Sequence, residues 1–196
     1  KTIVALMAMS GSVEAGAQAA FMAPTEVLAR QHLETITPLS EKAGLRIALL
    51  TGREKGRARK NILDRLADGE IDILIGTHAL FQADVVFHDL AFAVIDEQHR
   101  FGVHQRLSLQ SKSKGAGTDV LVMTATPIPR TLLMTHYGDL DVSRLTEKPP
   151  GRKSVITTKT SIDRIEEVID GIRRMLLQGA QVYWVCPRNE SSEVTG

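Results

Sequence analysis

The sequence is poor in several features that would mark particular protein classes. Of its 196 residues one is cysteine, Cys186, which excludes an internal disulfide and fits a reducing compartment. Aromatic residues make up only 4%, so the core should consist of Ala, Val, Leu and Ile. No apolar run approaches the roughly 18–20 residues of a membrane span. Acids and bases nearly cancel, to a net charge of +1, so nucleic-acid binding would have to depend on local patches.

Short apolar runs alternate with longer amphipathic segments. Nearly continuous apolar runs are typical of strands covered on both faces, and they predict strands at 19–24, 46–51, 72–77, 91–96 and 119–125. Helices are predicted in 25–44, 55–69 and 128–138, which end at Gly44, Gly69 and Gly138. The opening KTIVALMAMS also predicts a helix, because no convincing signal-peptide cleavage site follows it. This alternation predicts an α/β fold with a parallel sheet.

The segment TEKPPGRK, 146–153, is the best candidate for a linker, with two prolines and a glycine between apolar segments. Beyond it, SVITTK, DRIEEVIDGIRRMLLQG and AQVYWVCP predict one strand, one helix and one strand. We therefore expect a first domain at 1–147, a linker at 148–153 and the beginning of a second domain at 154–196. We also expect the sequence to be part of a longer chain, because it opens in a helix without a cap.

Polar residues follow four of the predicted strands. Ligands of open parallel sheets bind at the carboxyl ends of the strands. A single strand end needs polar and turn residues in any case, whereas four together favour one shared site. The four segments are Pro24-Thr25-Glu26, Gly76-Thr77-His78, Asp96-Glu97-Gln98-His99 and Thr124-Ala125-Thr126.

The adjacent carboxylates Asp96 and Glu97 carry the sharpest chemical signal. A carboxylate at a strand tip can hold Mg²⁺ while its neighbour accepts a proton from an attacking water. Such a pair needs a phosphate anchor, for which Lys1-Thr2 is a candidate, although a helix start is the better explanation of this dipeptide taken alone. A zinc site of Glu97, His99 and His104 is the weaker alternative, because histidines five residues apart do not share a helix face.

Two further stretches bear on function. Thr124 and Thr126 suit a helix N-cap before Pro127, and they could also reach Gln98 and His99. In REKGRARK, 53–60, five cations surround one acid, which favours a solvated helix face over a DNA contact. A mixture of cationic and aromatic side chains suits DNA, although the aromatic ring could instead belong to the core; this mixture comprises Arg100, Phe101, His104 and Arg106.

The sequence resembles the superfamily 2 helicases and, within them, the RecG family of bacterial branched-DNA translocases. IDEQHRFGVHQR is similar to the DExH-box motif II of that family, MTATPIPRTLL to motif III, FMAPTEVLARQH to motif Ia and IGTHALFQ to motif Ib. Lys1-Thr2 falls where the Walker A loop ends. The transcription-repair coupling factor shares TATPIPRTL, but its acidic box resembles DEEQRFGV, so DEQH favours the RecG family.

The resemblance implies a RecA-like P-loop NTPase fold, a parallel sheet with helices on both faces, followed by the start of a second RecA-like domain. It implies an ATP-dependent DNA helicase that remodels stalled replication forks and Holliday junctions in recombination and repair, with ATP and Mg²⁺ as cofactors. Lys1 would contact the β and γ phosphates, Thr2 and Asp96 would bind Mg²⁺, and Glu97 would activate the hydrolytic water.

The resemblance also implies that Gln98, His99, Thr124 and Thr126 couple hydrolysis to movement. DNA contacts are implied for Pro24, Thr25, Arg30, Gly76, Thr77, His78, Arg100, Phe101 and Arg106. The expected partners are branched DNA and a single-stranded-DNA-binding protein, with no membrane, for a monomer in the bacterial cytoplasm near the nucleoid. Two departures stand out: the Walker A glycines do not precede Lys1, and residues after Pro187 do not follow the family pattern. A catalytically incomplete DNA-contacting fragment is therefore the alternative.

Overall fold

The computed structural model describes residues 1–97, 117–125, 141–147, 151–152 and 154–186. The chain divides into two compact units, Lys1–Leu140 and Asp141–Gly196. The first unit contains a five-stranded sheet, and the described part of the second contains one α-helix.

Helices and strands alternate through the first unit, as the apolar pattern predicts. The helices are α1 (Thr2–Glu14), α2 (Glu26–Lys42) and α3 (Gly56–Ala67), and a short 3-10 helix spans His78–Phe81. The strands are β1 (Gln18–Met22), β2 (Ile47–Leu50), β3 (Ile73–Gly76), β4 (Leu90–Asp96) and β5 (Asp119–Met123). All paired strands are parallel, in the order β2-β3-β1-β4-β5, which confirms the predicted parallel sheet.

The sheet is covered on both faces, which explains why its strands are apolar throughout. On one face, Phe21 and Ile75 pack in a cluster with Met9 of α1 and Ile36 of α2. The opposite face packs in a second cluster, which includes Leu66 of α3, Leu80 and Phe87. Strand β1 lies at the centre of the sheet, and all five of its residues are buried.

Local sequence signals set the ends of α2 and α3. Thr25 caps α2, because its hydroxyl oxygen accepts a hydrogen bond from the backbone N–H of Leu28 at 3.3 Å. Gly44 and Gly69, which follow α2 and α3, have φ values of 71° and 75°. Glycine adopts this left-handed conformation without a steric penalty, so both positions end their helices as predicted.

The second unit differs from the prediction at two places. A 3-10 turn (Ile162–Arg164) leads into α4 (Ile165–Leu177), as expected from the amphipathic pattern, but residues 154–160 and 181–186 form no strand. Val155 and Val185 are 81% and 89% exposed. A strand needs a neighbour for its backbone hydrogen bonds and an apolar surface for its side chains, and among the described residues no strand pairs with these segments.

The helix predicted at 128–138 lies outside the described residues. Among the helices that are described, none has the length and hydropathy to cross a membrane.

Candidate functional site

The carboxyl ends of the strands lie in one row along an edge of the sheet. Leu50 pairs with Gly76, Gly76 with Met22, and Met22 with Ile95. In the same way Asp96 pairs with Met123, so that Thr124 follows β5 directly beside the tip of β4. The described polar residues that follow β1, β3, β4 and β5, among them Glu97 and Thr124, therefore share one edge, as the sequence predicts.

The order of the strands places a switch point between β1 and β4. From β1 the chain passes through α2 to β2, on one side of the sheet, whereas β4 lies on the other side of β1 and is followed by β5. In open parallel sheets the crevice at such a point is the usual place for a ligand. Asp96 and Glu97 lie at this crevice, since they end β4.

Glu97 has a strained backbone. Its φ is 49°, a left-handed value that no other non-glycine residue in the described ranges adopts. For a residue with a Cβ this conformation costs on the order of 1–3 kcal/mol, and strain of this kind is concentrated at functional sites. Asp96 is the last residue of β4, and Glu97, with its left-handed φ, lies just outside the strand.

Asp96 is bound by a histidine that the sequence analysis did not single out. Nε2 of His32, on α2, lies 2.9 Å from Oδ2 of Asp96, and the two side chains are 12% and 14% exposed. The imidazole also packs on Phe21 of β1, with 4.6 Å between ring centroids. Sixty-four residues separate His32 from Asp96. One feature of the sequence could have indicated His32. It lies on the same face of α2 as the buried Ala29 and Ile36, where a histidine needs a polar partner.

Lys1 is the N-cap of α1 and Thr2 is its first residue, and α1 packs against β1 and β4. The turn between Glu14 and Gln18 joins the end of α1 to the start of β1. Thirteen helical residues span about 20 Å and five strand residues about 17 Å. The start of α1 consequently reaches the level of the carboxyl edge, with Lys1 exposed.

Among the predicted DNA contacts, Arg30 belongs to a network of ion pairs at the carboxyl edge. Its Nε donates to Glu26 at 3.0 Å, and its guanidinium reaches Glu54 at 3.4 Å. Arg53 also pairs with Glu26, at 2.8 Å. Burial opposes the charge of Glu54, but hydrogen bonds from the hydroxyl and backbone N–H of Thr51, together with Arg30, hold the pKa of Glu54 below its usual value. The network fixes the loop after β2 against the first turns of α2.

Other predicted DNA contacts differ in their exposure. Pro24 and Thr25 are half-buried before α2. Gly76 and Thr77 are buried, whereas His78 is exposed. A Cβ on Gly76 would lie only 2.3 Å from the carbonyl oxygen of Leu50. The glycine is thus required by close packing between β3 and β2.

In the cationic stretch after β2, the structure shows intramolecular ion pairs. Arg59 binds Asp84, with a closest distance of 2.9 Å, and Lys60 binds Asp64 at 2.6 Å. These contacts agree with a solvated, self-paired helix face. Several predicted site residues lie outside the described residues: Gln98, His99, Arg100, Phe101, His104, Arg106 and Thr126.

The donor set at the tip of β4 fits Mg²⁺ better than zinc. Asp96 offers a carboxylate whose Oδ1 accepts no hydrogen bond within the described part of the chain, and Mg²⁺ prefers one or two carboxylates together with phosphate oxygens and water. No group of three His, Cys, Asp or Glu residues suited to a metal occurs in the described ranges. His99 and His104, of the alternative zinc site, are outside them.

Comparison with known proteins finds similarity to ATP-dependent DNA helicases. The sequence is 48% identical over 193 residues to the ATP-dependent DNA helicase RecG of Bacillus subtilis (strain 168), and 46% identical over 197 aligned positions to that of Escherichia coli O157:H7. These alignments cover 98% and 99% of the chain, and the chain spans about 28% of the length of these relatives.

Among solved structures, the structure of RecG bound to a three-way DNA junction matches with 43% sequence identity and a TM-score of 0.78. The match covers 97% of this chain and 25% of the RecG chain. The structure of the DUF1998 helicase MrfA bound to DNA and AMPPNP matches with 19% identity and a TM-score of 0.55. The match covers 69% of this chain and 19% of the MrfA chain, and it shows a likeness in fold alone. These matches and the parallel sheet confirm the RecA-like α/β fold. The sequence model of the DEAD/DEAH box helicases matches residues 1–135. The chain belongs to the DEAD/DEAH box helicase family.

Proposed function

We propose that this chain is the nucleotide-hydrolysing, DNA-contacting part of an ATP-dependent DNA helicase that remodels branched DNA. The observation that carries the proposal is the Asp96–Glu97 pair at the switch point of the sheet, in a chain 48% identical to a protein named ATP-dependent DNA helicase RecG. The junction-bound structure of another RecG supports branched DNA as the substrate class.

The proposed nucleotide site combines two elements that meet at the carboxyl edge. Lys1 and Thr2 at the start of α1 would approach the β and γ phosphates, where the helix N-terminus favours negative charge. Thr2 and Asp96 would hold Mg²⁺, which when bound neutralises charge on the phosphates and polarises them for displacement. The Asp96 carboxylate supplies a hard oxygen ligand from a rigid strand end.

Glu97 would serve as the base that orients and deprotonates the attacking water. The left-handed backbone at Glu97 supports this division of roles, because Asp96 is the last residue of β4 whereas Glu97 lies outside the strand. A carboxylate can accept a proton from water only when it is held within hydrogen-bonding reach of that water. Thr124, which follows Met123, the residue paired with Asp96, would sense the state of the site, together with Thr126, Gln98 and His99.

DNA would pass along the same edge, over the segments that follow β1 and β3. The backbone N–H groups at the start of α2, next to Pro24 and Thr25, can bind phosphate without reading the base. His78 is exposed and is the best placed side chain of its segment, since Gly76 and Thr77 are buried. Arg30 would have to exchange a carboxylate of its network for a DNA phosphate. Arg100, Phe101 and Arg106 complete the proposed DNA surface.

The proposal is tested with a protein of the relatives' full length that carries this chain. Strand separation is measured on a labelled three-way junction and on a linear duplex of the same length, each with ATP and with a non-hydrolysable analogue. We expect the junction to be converted to separated or re-paired strands only with ATP, and the linear duplex to be a poorer substrate. Equal, ATP-independent binding to both DNAs with no strand separation would instead identify a DNA-contacting module without motor activity.

A further inference from the structure

His32 and Asp96 form a nearly buried polar pair at the proposed nucleotide site. Nε2 of His32 lies 2.9 Å from Oδ2 of Asp96, and the side chains are only 12% and 14% exposed. Within the described part of the chain, this is the hydrogen bond that the Asp96 carboxylate makes. The pair joins α2 to the tip of β4, across the switch point of the sheet.

The chemistry of the pair fixes the direction of the bond. An ionised carboxylate only accepts hydrogen bonds, so the Nε2–H of His32 donates to Oδ2. A carboxylate bound in this way cannot rotate freely, and its second oxygen, Oδ1, keeps one direction. Partners of this kind set the orientation of a metal-binding carboxylate and the affinity for its metal.

His32 is itself held in place on two sides. Its ring packs on Phe21 of the central strand β1, with a centroid distance of 4.6 Å and an angle of 55° between the rings. Its helix is anchored at the start by the Thr25 cap and in the middle by the buried Ile36. The Nε2–H group of His32 is therefore fixed in position relative to β4, as it would not be on a flexible surface residue.

We propose that His32 is a positioning residue that holds the Asp96 carboxylate in the orientation needed to bind the Mg²⁺ of a nucleotide. The inference rests on the proposed function, since it assigns to Asp96 the role of a magnesium ligand. It adds that α2, the helix whose first turn borders the proposed DNA path, reaches the metal site through this single hydrogen bond. A change in the position of α2 is thereby transmitted to Asp96.

The test uses Mn²⁺ as a paramagnetic probe in place of Mg²⁺, with the full-length protein and ADP. Binding is followed by the loss of the free Mn²⁺ signal in electron paramagnetic resonance, which does not depend on turnover. His32→Leu keeps an apolar side chain against Phe21 but removes the donor, and we expect it to weaken Mn²⁺ binding about 10-fold. His32→Gln places an amide N–H near the position of Nε2, and we expect binding within about 3-fold of the native protein.

Matched variants separate the possible outcomes. His88→Leu removes another histidine, whose Nδ1 contacts the carbonyl oxygen of Ala67, and should leave Mn²⁺ affinity unchanged. If His32→Leu fails to fold, as judged by thermal unfolding, His32→Asn replaces it, because its shorter amide reaches the position of Nδ1 and not that of Nε2. It should bind Mn²⁺ as weakly as the Leu variant.

Asp96→Asn separates the role of Asp96 as a magnesium ligand from the role of His32 in positioning it. If this variant loses Mn²⁺ binding while His32→Leu or His32→Asn binds as the native protein does, the positioning role is wrong and the metal site stands. If Asp96→Asn binds Mn²⁺ and ADP normally, the assignment of the metal site is wrong, and the role of His32 fails with it. Weakened binding in both, with rescue by His32→Gln, is the result that the proposal requires.

Discussion

At the scale of single residues, Gly76 is the clearest case of a side chain excluded by its neighbours. A Cβ at this position would lie 2.3 Å from the carbonyl oxygen of Leu50 and 2.9 Å from Cδ2 of Leu80. The carbonyl belongs to the paired strand β2 and cannot withdraw without disturbing the sheet. A methyl group here would separate β2 from β3 at the edge where the proposed site lies.

We therefore predict that Gly76→Ala lowers the free energy of unfolding by about 1–3 kcal/mol, the range typical of overpacked cores. Gly52→Ala is the matched control, because no atom lies within 4 Å of a Cβ built at Gly52. Its effect should stay within about 0.5 kcal/mol. Urea denaturation of both variants gives the comparison, and equal stability of the two would show that the packing at Gly76 can relax.

The residues of the candidate site were only partly predictable from the sequence. Asp96 and Glu97 are recognisable because two acids directly after an apolar run are costly to bury and so mark a strand tip. His32 is not recognisable in this way, since its partner lies 64 residues away and only the folded sheet brings them together. The left-handed backbone of Glu97 was also not predictable, because glutamate rarely adopts this conformation and nothing in the sequence indicates it.

At the scale of secondary structure elements, the starts of β2 and β3 are joined by Arg46 and Asp72. The backbone N–H and the guanidinium of Arg46 both donate to Asp72, and the guanidinium also donates to the carbonyl oxygen of Gly69. Burial works against the charge of Asp72, but the bonds from Arg46 outweigh it and hold the pKa of Asp72 below its ordinary value. This contact lies at the amino ends of the strands, away from the proposed site.

The depressed pKa has a defined consequence for stability. Ionised Asp72 stabilises the folded state at any pH above the pKa of the unfolded chain, about 3.9, and this contribution disappears as the pH falls through the lower, folded-state pKa. We predict that Asp72→Asn costs about 1–3 kcal/mol at pH 7, the range for hydrogen bonds to charged groups. The cost should shrink as the pH falls below about 4.

Urea denaturation at pH 7 and pH 3 measures this difference. Exposed Asp89→Asn serves as the control, with an expected change of less than about 0.5 kcal/mol at pH 7. A cost for Asp72→Asn that is the same at both pH values would mean that the ionised form is not favoured by folding.

The elements themselves were predictable where apolar runs are long and bounded. Helix ends at Gly44 and Gly69 and all five strands of the sheet follow from the pattern, within a few residues. The two strands predicted in the second unit are absent, although the second of them, in AQVYWVCP, is mostly apolar. Composition reports the preference of a segment, whereas a strand also requires hydrogen-bonding neighbours and a covering layer.

At the scale of the whole molecule, the two units differ in how much surface they bury. Strand β1 is buried along its whole length, whereas α4 has no buried residue. Along α4 and the segment after it, apolar side chains are exposed, among them Leu177 at 88% and Tyr183 at 88%. Backbone hydrogen bonds that few apolar side chains cover break in local fluctuations. The hydrogen bonds of a central strand break only when the whole unit unfolds.

We predict that hydrogen exchange of this chain proceeds in two separate classes. Amides of β1 and β4 should exchange at the rate set by global unfolding of the first unit, and those of α4 at least about 100-fold faster, through local opening. Exchange detected by mass spectrometry on peptides from each region gives both rates. Equal protection of α4 and β1 would show that α4 is covered by contacts beyond those of its own unit.

We propose that Asp96 and Glu97, at the switch point of the sheet, form the centre that hydrolyses ATP. The most direct measurement is junction-stimulated ATP hydrolysis by full-length protein carrying Glu97→Gln, alongside equilibrium binding of ATP. We predict that turnover falls by at least about 100-fold, the usual contribution of a general base, while ATP binding is retained. Exposed Glu34→Gln, on α2, should hydrolyse ATP at the native rate. Native turnover in Glu97→Gln would show that Glu97 is not the base that activates the attacking water.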